Sequence, residues 1–115
     1  MHEASLVEAL FDQVDRAIGA HPPAAVGELT VRIGALAGVE TVLFRTAFEA
    51  LRGGRGYGAA TLVVDEARAS WRCADCGGAV PEGAVLACAK CGGRVTLAAG
   101  GEIILARVEL EVSDV

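Results

Sequence analysis

Residues 73–91 read CADCGGAVPEGAVLACAKC and contain all four cysteines of the chain. The cysteines form two C-x-x-C pairs, Cys73 with Cys76 and Cys88 with Cys91, and eleven residues separate the pairs. Each pair forms a turn that directs two sulfurs at one ion, and the segment between them is long enough to place the second pair opposite the first. The spacing therefore predicts a structural zinc site with four thiolate ligands.

Two disulfides are the alternative use of these cysteines. Disulfides belong to oxidising compartments, and the first residues, MHEASLVE, lack the basic region and the long apolar run of an export signal. We therefore expect a cytoplasmic protein with reduced cysteines. Iron is an alternative occupant of four thiolates, and its visible absorption would identify it.

The rest of the chain is large enough for one small domain. Of its 115 residues, 53% are hydrophobic, and once about 30 are assigned to the metal segment roughly 80 remain to build a core. No apolar stretch approaches the roughly 20 residues needed to cross a bilayer, so we expect a soluble protein. The net charge of −5 disfavours a polyanion such as DNA as a partner.

The N-terminal segment has the pattern of an amphipathic helix. Apolar residues recur every three or four positions, at Leu6, Val7, Leu10, Phe11, Val14, Ala17 and Ile18. Ser5 and Glu8 form an S-x-x-E capping box. This box predicts that the helix begins near residue 5 and that residues 1–4 form a free arm.

The remaining pattern predicts one strand, a second helix and two further strands. Residues 28–33 alternate polar and apolar, residues 61–64 are rich in β-branched side chains, and residues 104–112 alternate again, with Ile104, Ala106, Val108, Leu110 and Val112 as the apolar set. The second helix is indicated by Val42, Leu43, Ala47, Phe48 and Leu51. The glycine-rich run at 53–58 follows a helix and precedes a strand, the reverse of the order in a phosphate loop, so we expect a flexible connector.

This order predicts an α+β fold in which two helices cover a small three-stranded mixed sheet, with an inserted four-cysteine zinc-ribbon lobe. The strands at 28–33 and 61–64 are joined by a helix and should be parallel neighbours or near neighbours in the sheet. We expect residues 1–67 and 98–115 to form the main domain and residues 68–97 to form the lobe.

The first three residues, Met1-His2-Glu3, are a candidate site for a transition metal. The terminal amine, the deprotonated amide nitrogen of His2 and the His2 imidazole can close adjacent chelate rings in one plane, the geometry favoured by Ni²⁺ and Cu²⁺. The fourth ligand stays open between the Glu3 amide, the Glu3 carboxylate and a carboxylate from elsewhere. The alternative is that His2 is an ordinary exposed terminal side chain.

In combination, the Met1-His2-Glu3 start, the helix that follows, Val39-Glu40 before the second helix and the paired C-x-x-C motifs resemble the HypA family. These proteins are the nickel metallochaperones of hydrogenase maturation, and the resemblance covers essentially the whole chain. It implies that His2 is the primary nickel ligand, with main-chain nitrogen from Met1 and Glu3, and that Glu3 and Glu40 are acidic residues near the nickel. It also implies that the cysteines bind structural Zn²⁺ while Ni²⁺ is cargo.

The resemblance further implies a role in transfer and a set of partners. The family partner is the GTPase HypB, nickel passes towards the hydrogenase large-subunit precursor, and some members also serve urease maturation. The apolar face of the first helix and the acidic residues near it, including Glu8, Asp12 and Asp15, are a candidate docking surface, and an ordinary solvated helix face is the alternative.

A zinc-ribbon module that binds nucleic acid is the alternative function. The charged residues that bear on it are Arg68, Arg72, Lys90 and Arg94, against Asp75 and Glu82. The thiolates of the metal site offset this basic surplus, and Trp71 is the only aromatic residue of the segment that could stack on a base. The sequence has no H-E-x-x-H motif and no nucleophile-plus-base pattern, so we do not predict an enzyme. The metallochaperone role is what the resemblance to the HypA family implies.

Overall fold

The computed structural model describes residues 2–81 and 87–111. The chain divides into two compact units. The first comprises Met1–Arg32, Val39–Asp65 and Ile104–Val115, and the second comprises Ile33–Gly38 and Glu66–Ile103. Among the described residues, no helix has the length and apolar character needed to span a membrane.

The N-terminal helix α1 spans His2–Ile18. Its buried side chains are Val7, Leu10, Phe11, Val14 and Ile18, which keep the predicted three- and four-residue spacing. Two members of the predicted stripe lie outside this buried set, since Leu6 is half-buried and Ala17 is exposed. The buried stripe of α1 is therefore slightly narrower than its sequence pattern.

The predicted start of α1 at the capping box near residue 5 is wrong, because the helix already includes residues 2–4. No glycine or proline interrupts the chain before residue 5. Glu3 lies in the first turn, where a negative side chain is stabilised by the positive end of the helix dipole. The expected free arm is therefore helical over its described part, and Met1 lies outside the described residues.

Helix α2 spans Thr41–Leu51 and packs against α1. It buries Phe44 and Phe48, one helical turn apart, and the ring centroid of Phe48 lies 5.4 Å from that of Phe11 on α1. Phe44 was not part of the predicted pattern, whereas Val42 and Leu43 were, and these two are 67% and 53% exposed. Residues four apart share a helix face and residues one or two apart do not, so burying the two rings turns both aliphatic side chains outward.

Three strands form the first sheet in the order β2-β1-β6. They are β1 (Val26–Gly34), β2 (Thr61–Ala67) and β6 (Ile103–Leu110). The N–H of Gly34 donates to the carbonyl of Glu102, and the N–H of Glu111 donates to the carbonyl of Ala25. Because the late end of β1 meets the early end of β6, these two strands are antiparallel.

The strands β1 and β2 are parallel neighbours, as predicted. Arg32 near the end of β1 forms an ion pair of 3.1 Å with Asp65 near the end of β2. Just beyond both strands, the N–H of Ala35 donates to the carbonyl of Ala67. The sheet is therefore mixed, and the predicted fold of two helices and a three-stranded mixed sheet is confirmed.

The central strand supplies most of the buried sheet residues. They are Val26, Leu29, Val31 and Ile33. Burial in β6 is less than predicted: Ile104 is 41% exposed, Ala106 is exposed, and Val108 and Leu110 are half-buried. Val112 lies outside the described residues. Because β6 is an edge strand, it has a strand neighbour on one side only and its alternating side chains are covered less completely.

The run at residues 53–58, predicted to be a flexible connector, is attached to α1 through Arg55 and Tyr57. Gly53–Arg55 form a 3₁₀ turn, and Tyr57 is fully buried with its ring stacked on Phe11 at a centroid distance of 5.1 Å. The Tyr57 hydroxyl donates a hydrogen bond to the carboxylate of Asp15 on α1. This segment therefore supports α1 with an aromatic contact and a hydrogen bond.

Arg55 also forms ion pairs with three acidic side chains of the same helix. Its guanidinium lies 3.4 Å from Glu8, 2.8 Å from Asp12 and 3.1 Å from Asp15. The three acidic residues proposed as a docking surface are thus partners of one arginine inside the first unit. Their side chains are nevertheless about half exposed, at 50%, 61% and 48%.

The second unit contains an antiparallel sheet in the order β4-β3-β5. Its strands are β3 (Ser70–Cys73), β4 (Ala79–Val80) and β5 (Val95–Ala99). Trp71 in the central strand pairs with Val80 on one side and with Leu97 on the other. The last residue of β3 is Cys73, the first cysteine of the candidate metal site.

Candidate metal centres

The cysteines lie on two turns with the same hydrogen bonds. In each turn the N–H of the first cysteine donates to the carbonyl five residues later, and the N–H four residues later donates back to the carbonyl of that cysteine. The bonded sets are Cys73 with Gly78 and Gly77, and Cys88 with Gly93 and Gly92. Gly77 and Gly92 have φ of +75° and +70°, a region that glycine adopts without a Cβ clash. The glycine after each pair therefore allows the turn to close.

The four sulfurs have the spacing of a tetrahedral metal site. All lie within 4.8 Å of one another. The Sγ atoms of Cys73 and Cys91 are 3.4 Å apart, and those of Cys76 and Cys88 are 3.8 Å apart. Zinc–sulfur bonds of about 2.3 Å in a tetrahedron give sulfur–sulfur edges of about 3.8 Å. The set fits zinc, and because four thiolates complete the tetrahedron, it is a closed structural site.

The protonation of the thiols also favours a cation at this position. The N–H of Cys76 donates to the sulfur of Cys73 at 3.4 Å and is the main cause that lowers the pKa of Cys73 to about 7. The N–H of Gly93 lowers the pKa of Cys91, but hydrogen bonds with Cys73 and the other thiols, together with burial, raise it to about 12. Sulfurs this close cannot all ionise unless a positive charge lies between them. A bound zinc ion supplies that charge and contributes to folding of the segment.

The third residue of each C-x-x-C pair reaches the other turn. The carboxylate of Asp75 accepts a hydrogen bond of 3.2 Å from the N–H of Arg94, and a Cβ added to Gly93 would lie 2.3 Å from the same carboxylate. Lys90 crosses in the other direction, so that a Cβ added to Gly78 would lie 3.8 Å from its Nζ. The cysteine spacing alone does not predict this arrangement. Its signal is a pair of opposite charges at equivalent positions of the two motifs.

The residues predicted to bind nickel lie in the first unit. His2 is the exposed first residue of α1, and Met1 lies outside the described residues. The carboxylate of Glu3 accepts a hydrogen bond of 3.3 Å from the backbone N–H of Glu40, the residue that precedes α2. Glu3 is the residue that follows His2 in the chain. Its hydrogen bond to Glu40 therefore joins the starts of the two helices next to His2.

The hydrogen bonds at Glu3 keep its carboxylate ionised. The backbone N–H groups of Glu3 and Glu40 lower the pKa of the Glu3 carboxyl. Within residues 2–81 and 87–111, the cysteines are the only group of three or more His, Cys, Asp or Glu side chains that could share one ion. The described side chains near His2 thus provide negative charge but no complete ligand set.

Comparison with known proteins gives one consistent result. The family model described as "Hydrogenase/urease nickel incorporation, metallochaperone, hypA" matches residues 1–110. The chain is 34% identical over 114 residues to the hydrogenase maturation factor HypA of Shewanella halifaxensis, covering 96% of this chain and 98% of that protein. It is 38% identical over 104 residues to the same factor of Rhodobacter capsulatus, covering 89% and 91%.

The fold is also similar to that of a solved relative. The solution structure of the Ni metallochaperone HypA from Helicobacter pylori matches with a TM-score of 0.69 and 25% identity, over 96% of this chain and 98% of that chain. The sequence match, the fold and the four-cysteine centre therefore agree, and the chain belongs to the HypA family.

Proposed function

We propose that this chain binds Ni²⁺ at its N-terminus and delivers it during [NiFe]-hydrogenase maturation, while zinc holds the cysteine segment together. The nickel ligands in this proposal are the terminal amine of Met1, the amide and imidazole nitrogens of His2, and the amide nitrogen of Glu3. Family membership supports nickel as the cargo. The name of the Helicobacter pylori relative, a Ni metallochaperone, supports it as well.

The observation that carries the proposal is the start of α1 at His2. The first four N–H groups of a helix have no acceptor within that helix. The amides of His2 and Glu3 can therefore lose their protons to a metal without breaking a helical hydrogen bond, and only the bond from the Glu3 N–H to its own carboxylate is given up. Planar coordination by several nitrogens suits Ni²⁺, whereas zinc prefers the sulfur tetrahedron of the other site.

The charges around α1 reduce the cost of placing a cation there. The N-terminal end of a helix is the positive end of its dipole and by itself repels Ni²⁺. Two deprotonated amides would offset that potential. The Glu3 carboxylate adds negative charge at the same end, where it accepts a hydrogen bond from the backbone N–H of a second acidic residue, Glu40. Within the described residues, the Glu40 carboxylate has no ion pair that would neutralise it. We assign Glu40 this electrostatic role near the nickel.

The two metals have different tasks in this proposal. Zinc occupies a closed four-thiolate site that leaves no position for exchange, so it serves residues 68–97 structurally. Nickel lies at an exposed helix end in the domain formed by residues 1–67 and 98–115, where another protein can take it. We propose that HypB and the hydrogenase large-subunit precursor are partners in this transfer, that urease maturation proteins are alternative partners, and that the chain acts in the cytoplasm as a carrier without catalytic activity.

The charge of the second unit gives no support to the nucleic-acid alternative. Residues 33–38 and 66–103 contain four basic and four acidic side chains, before the negative charge of the thiolates is counted. A surface that binds the phosphate backbone needs a clear basic excess. We therefore retain only the metallochaperone function.

Titration of the untagged, zinc-loaded protein with Ni²⁺, followed by absorption and by calorimetry, tests this proposal. The substitution His2→Ala should weaken nickel binding by at least about 100-fold, more than the loss of an outer partner of a metal ligand. The matched control is His21→Ala, because His21 is also exposed but lies beyond the end of α1. Equal nickel affinity of the His2→Ala variant and the wild type would refute the proposal, and unchanged zinc content would show that the fold is intact.

A further inference from the structure

An open groove of about 260 Å³ runs between α1 and α2 in the first unit. Its lining consists of short or aliphatic side chains and one carboxylate: Glu3, Ala4, Leu43, Thr46, Ala47 and Ala50. Sites for drug-sized ligands usually enclose about 300–1,000 Å³. This groove is smaller and open along one side, so it suits a row of one or two aliphatic side chains better than a separate small molecule.

The groove has the dimensions of a helix-binding surface. Along α2 its lining residues stand at positions 43, 46, 47 and 50, which is the i, i+3, i+4, i+7 spacing of one helix face. Seven residues of helix extend over about 10 Å. A second helix laid along α2 would therefore present its own i, i+4, i+7 side chains to the whole length of the groove.

Aliphatic side chains in this part of α2 are exposed, and apolar area in contact with water is energetically unfavourable. Leu43 lines the groove and is 53% exposed. Val42, which precedes Leu43 in the chain but does not line the groove, is 67% exposed. Ala47 and Ala50 have short side chains that allow the backbone of another helix to approach closely. The groove therefore combines an exposed apolar side chain, Leu43, with a shallow part formed by Ala47 and Ala50.

Charge decides which kind of helix fits. Glu3 lines the groove, and Glu40 lies at the same end of it, bonded to Glu3. The first unit has six arginines and no lysine against eleven Asp and Glu residues, so it carries the whole net charge of −5. A second copy of this chain would bring the same negative unit and the same carboxylates to the groove and be repelled. A partner with basic residues next to its apolar row is attracted instead.

We propose that the groove between α1 and α2 is a docking site for an amphipathic helix of a partner protein, with an aliphatic i, i+4, i+7 row and a Lys or Arg at the end that meets Glu3 and Glu40. The aliphatic row packs on Leu43, Ala47 and Ala50. The basic side chain pairs with the two carboxylates and fixes the direction of the helix. This inference concerns partner binding and does not depend on nickel at His2.

Nuclear magnetic resonance titration of the nickel-free, zinc-loaded protein tests the proposal. The probe is a synthetic helical peptide of about 18 residues, with Leu at i, i+4 and i+7 and Lys at one end. It should produce saturable shifts of the Thr46, Ala47 and Ala50 methyl groups. Two matched peptides, one with Ala in place of Leu and one with Glu in place of Lys, should each bind at least about tenfold more weakly, as expected when an anchor residue is lost.

Protein variants separate the groove from the rest of the surface. Ala50→Leu fills the groove without changing its charge. This variant should bind the peptide that carries Leu and Lys about tenfold more weakly, or weaker still. The control is Ala9→Leu, since Ala9 is exposed on α1 and does not line the groove. The proposal is overturned if the Leu/Lys peptide gives no saturable shifts at these methyl groups, or if the Glu peptide binds as tightly. It is equally overturned if these methyl groups respond only to lipid vesicles or to self-association at high protein concentration.

Discussion

The carboxylate of Glu3, in the first turn of α1, accepts a hydrogen bond of 3.3 Å from the backbone N–H of Glu40, immediately before α2. This bond joins the starts of two helices whose residues are far apart in sequence. Glu40 does not cap α2 with its own side chain. The Glu3 carboxylate therefore adds negative charge at the positive ends of both helices and links the proposed nickel site to the groove between them.

The first prediction concerns the pH dependence of this contact. The backbone N–H groups of Glu3 and Glu40 lower the pKa of Glu3 below its usual value of 4.5. A carboxyl with a lowered pKa stabilises the folded state above the pKa of the unfolded chain, and this contribution is lost as the pH falls through the folded-state pKa. Side-chain carbon shifts of Glu3 should therefore titrate below pH 4.5, and Glu40→Pro, which removes the N–H donor, should move that midpoint upward. An unchanged midpoint would contradict the contact.

The second prediction concerns the buried tyrosine. Tyr57→Phe keeps the ring stacked on Phe11 but removes the hydroxyl that donates to Asp15, so we expect a loss of about 1–2 kcal/mol in the free energy of unfolding. The Tyr57 hydroxyl is the main cause of the lowered pKa of Asp15, so this pKa should rise in the variant. Stability lost by the substitution should be largest above the unfolded-state pKa of Asp15 and vanish in acid.

Denaturant unfolding at neutral pH and at an acid pH below the folded-state pKa of Asp15 measures this effect. The control is Asp12→Asn, because the Asp12 side chain is 61% exposed and its ion pair with Arg55 is a surface one, with an expected cost of about 0.5 kcal/mol. If Tyr57→Phe proved no more destabilising than Asp12→Asn, the hydrogen bond to Asp15 would not contribute as we infer.

Several elements could be predicted from the sequence because a short pattern determines them. The cysteine spacing with a glycine after each pair is a local geometric requirement, and the structure has all four sulfurs together. The apolar period of α1 predicts most of its buried residues. In both cases the residues that determine the structure are close in sequence or bind the same metal ion.

Other features depend on contacts that sequence periodicity does not contain. The capping box at Ser5 is compatible with a helix start, but the first turn is helical over residues 2–4, where Glu3 meets Glu40 from a distant part of the chain. Residues 53–58 have a composition typical of a flexible loop, yet Tyr57 becomes buried because Phe11 and Asp15 of α1 provide a ring and an acceptor. Long-range partners override local propensity at these positions.

The third prediction tests the crossing of the two cysteine turns. A Cβ on Gly93 would lie 2.3 Å from the Asp75 carboxylate, which bonds the N–H of Arg94. Gly93→Ala should therefore force Asp75 aside and destabilise the zinc segment by about 1–3 kcal/mol. In the double variant with Asp75→Ala the clash is gone, so the cost of adding Gly93→Ala to Asp75→Ala should be smaller than its cost in the wild type. Chelator competition for zinc provides the measurement, and strictly additive effects would show that the two residues do not meet.

The fourth prediction concerns removal of zinc. Without the ion, the four sulfurs within 4.8 Å of one another lose the charge that holds them, so the turns that carry Cys73 and Cys88 should open. Hydrogen exchange after treatment with a chelator should show loss of protection in β3 and β5. Protection in β1 should persist, since its buried residues pack in the other sheet. Loss of protection at equal rates in both sheets would mean that the zinc segment and the first sheet unfold as one cooperative unit.

The last prediction concerns nickel and acid, and it rests on the proposed N-terminal site. The terminal amine, the imidazole of His2 and the amide nitrogens must all lose protons before they bind, so nickel affinity should fall steeply as the pH is lowered from 8 to 6. Zinc content should stay constant over this range, because the thiolates are held by a closed site. Calorimetric titration of untagged protein at both pH values measures the difference. A variant with two extra residues before Met1 is the matched control, since its displaced amine can no longer close the first chelate ring. It should bind nickel weakly at both pH values, and an affinity equal to that of the untagged protein would exclude the terminal amine as a ligand.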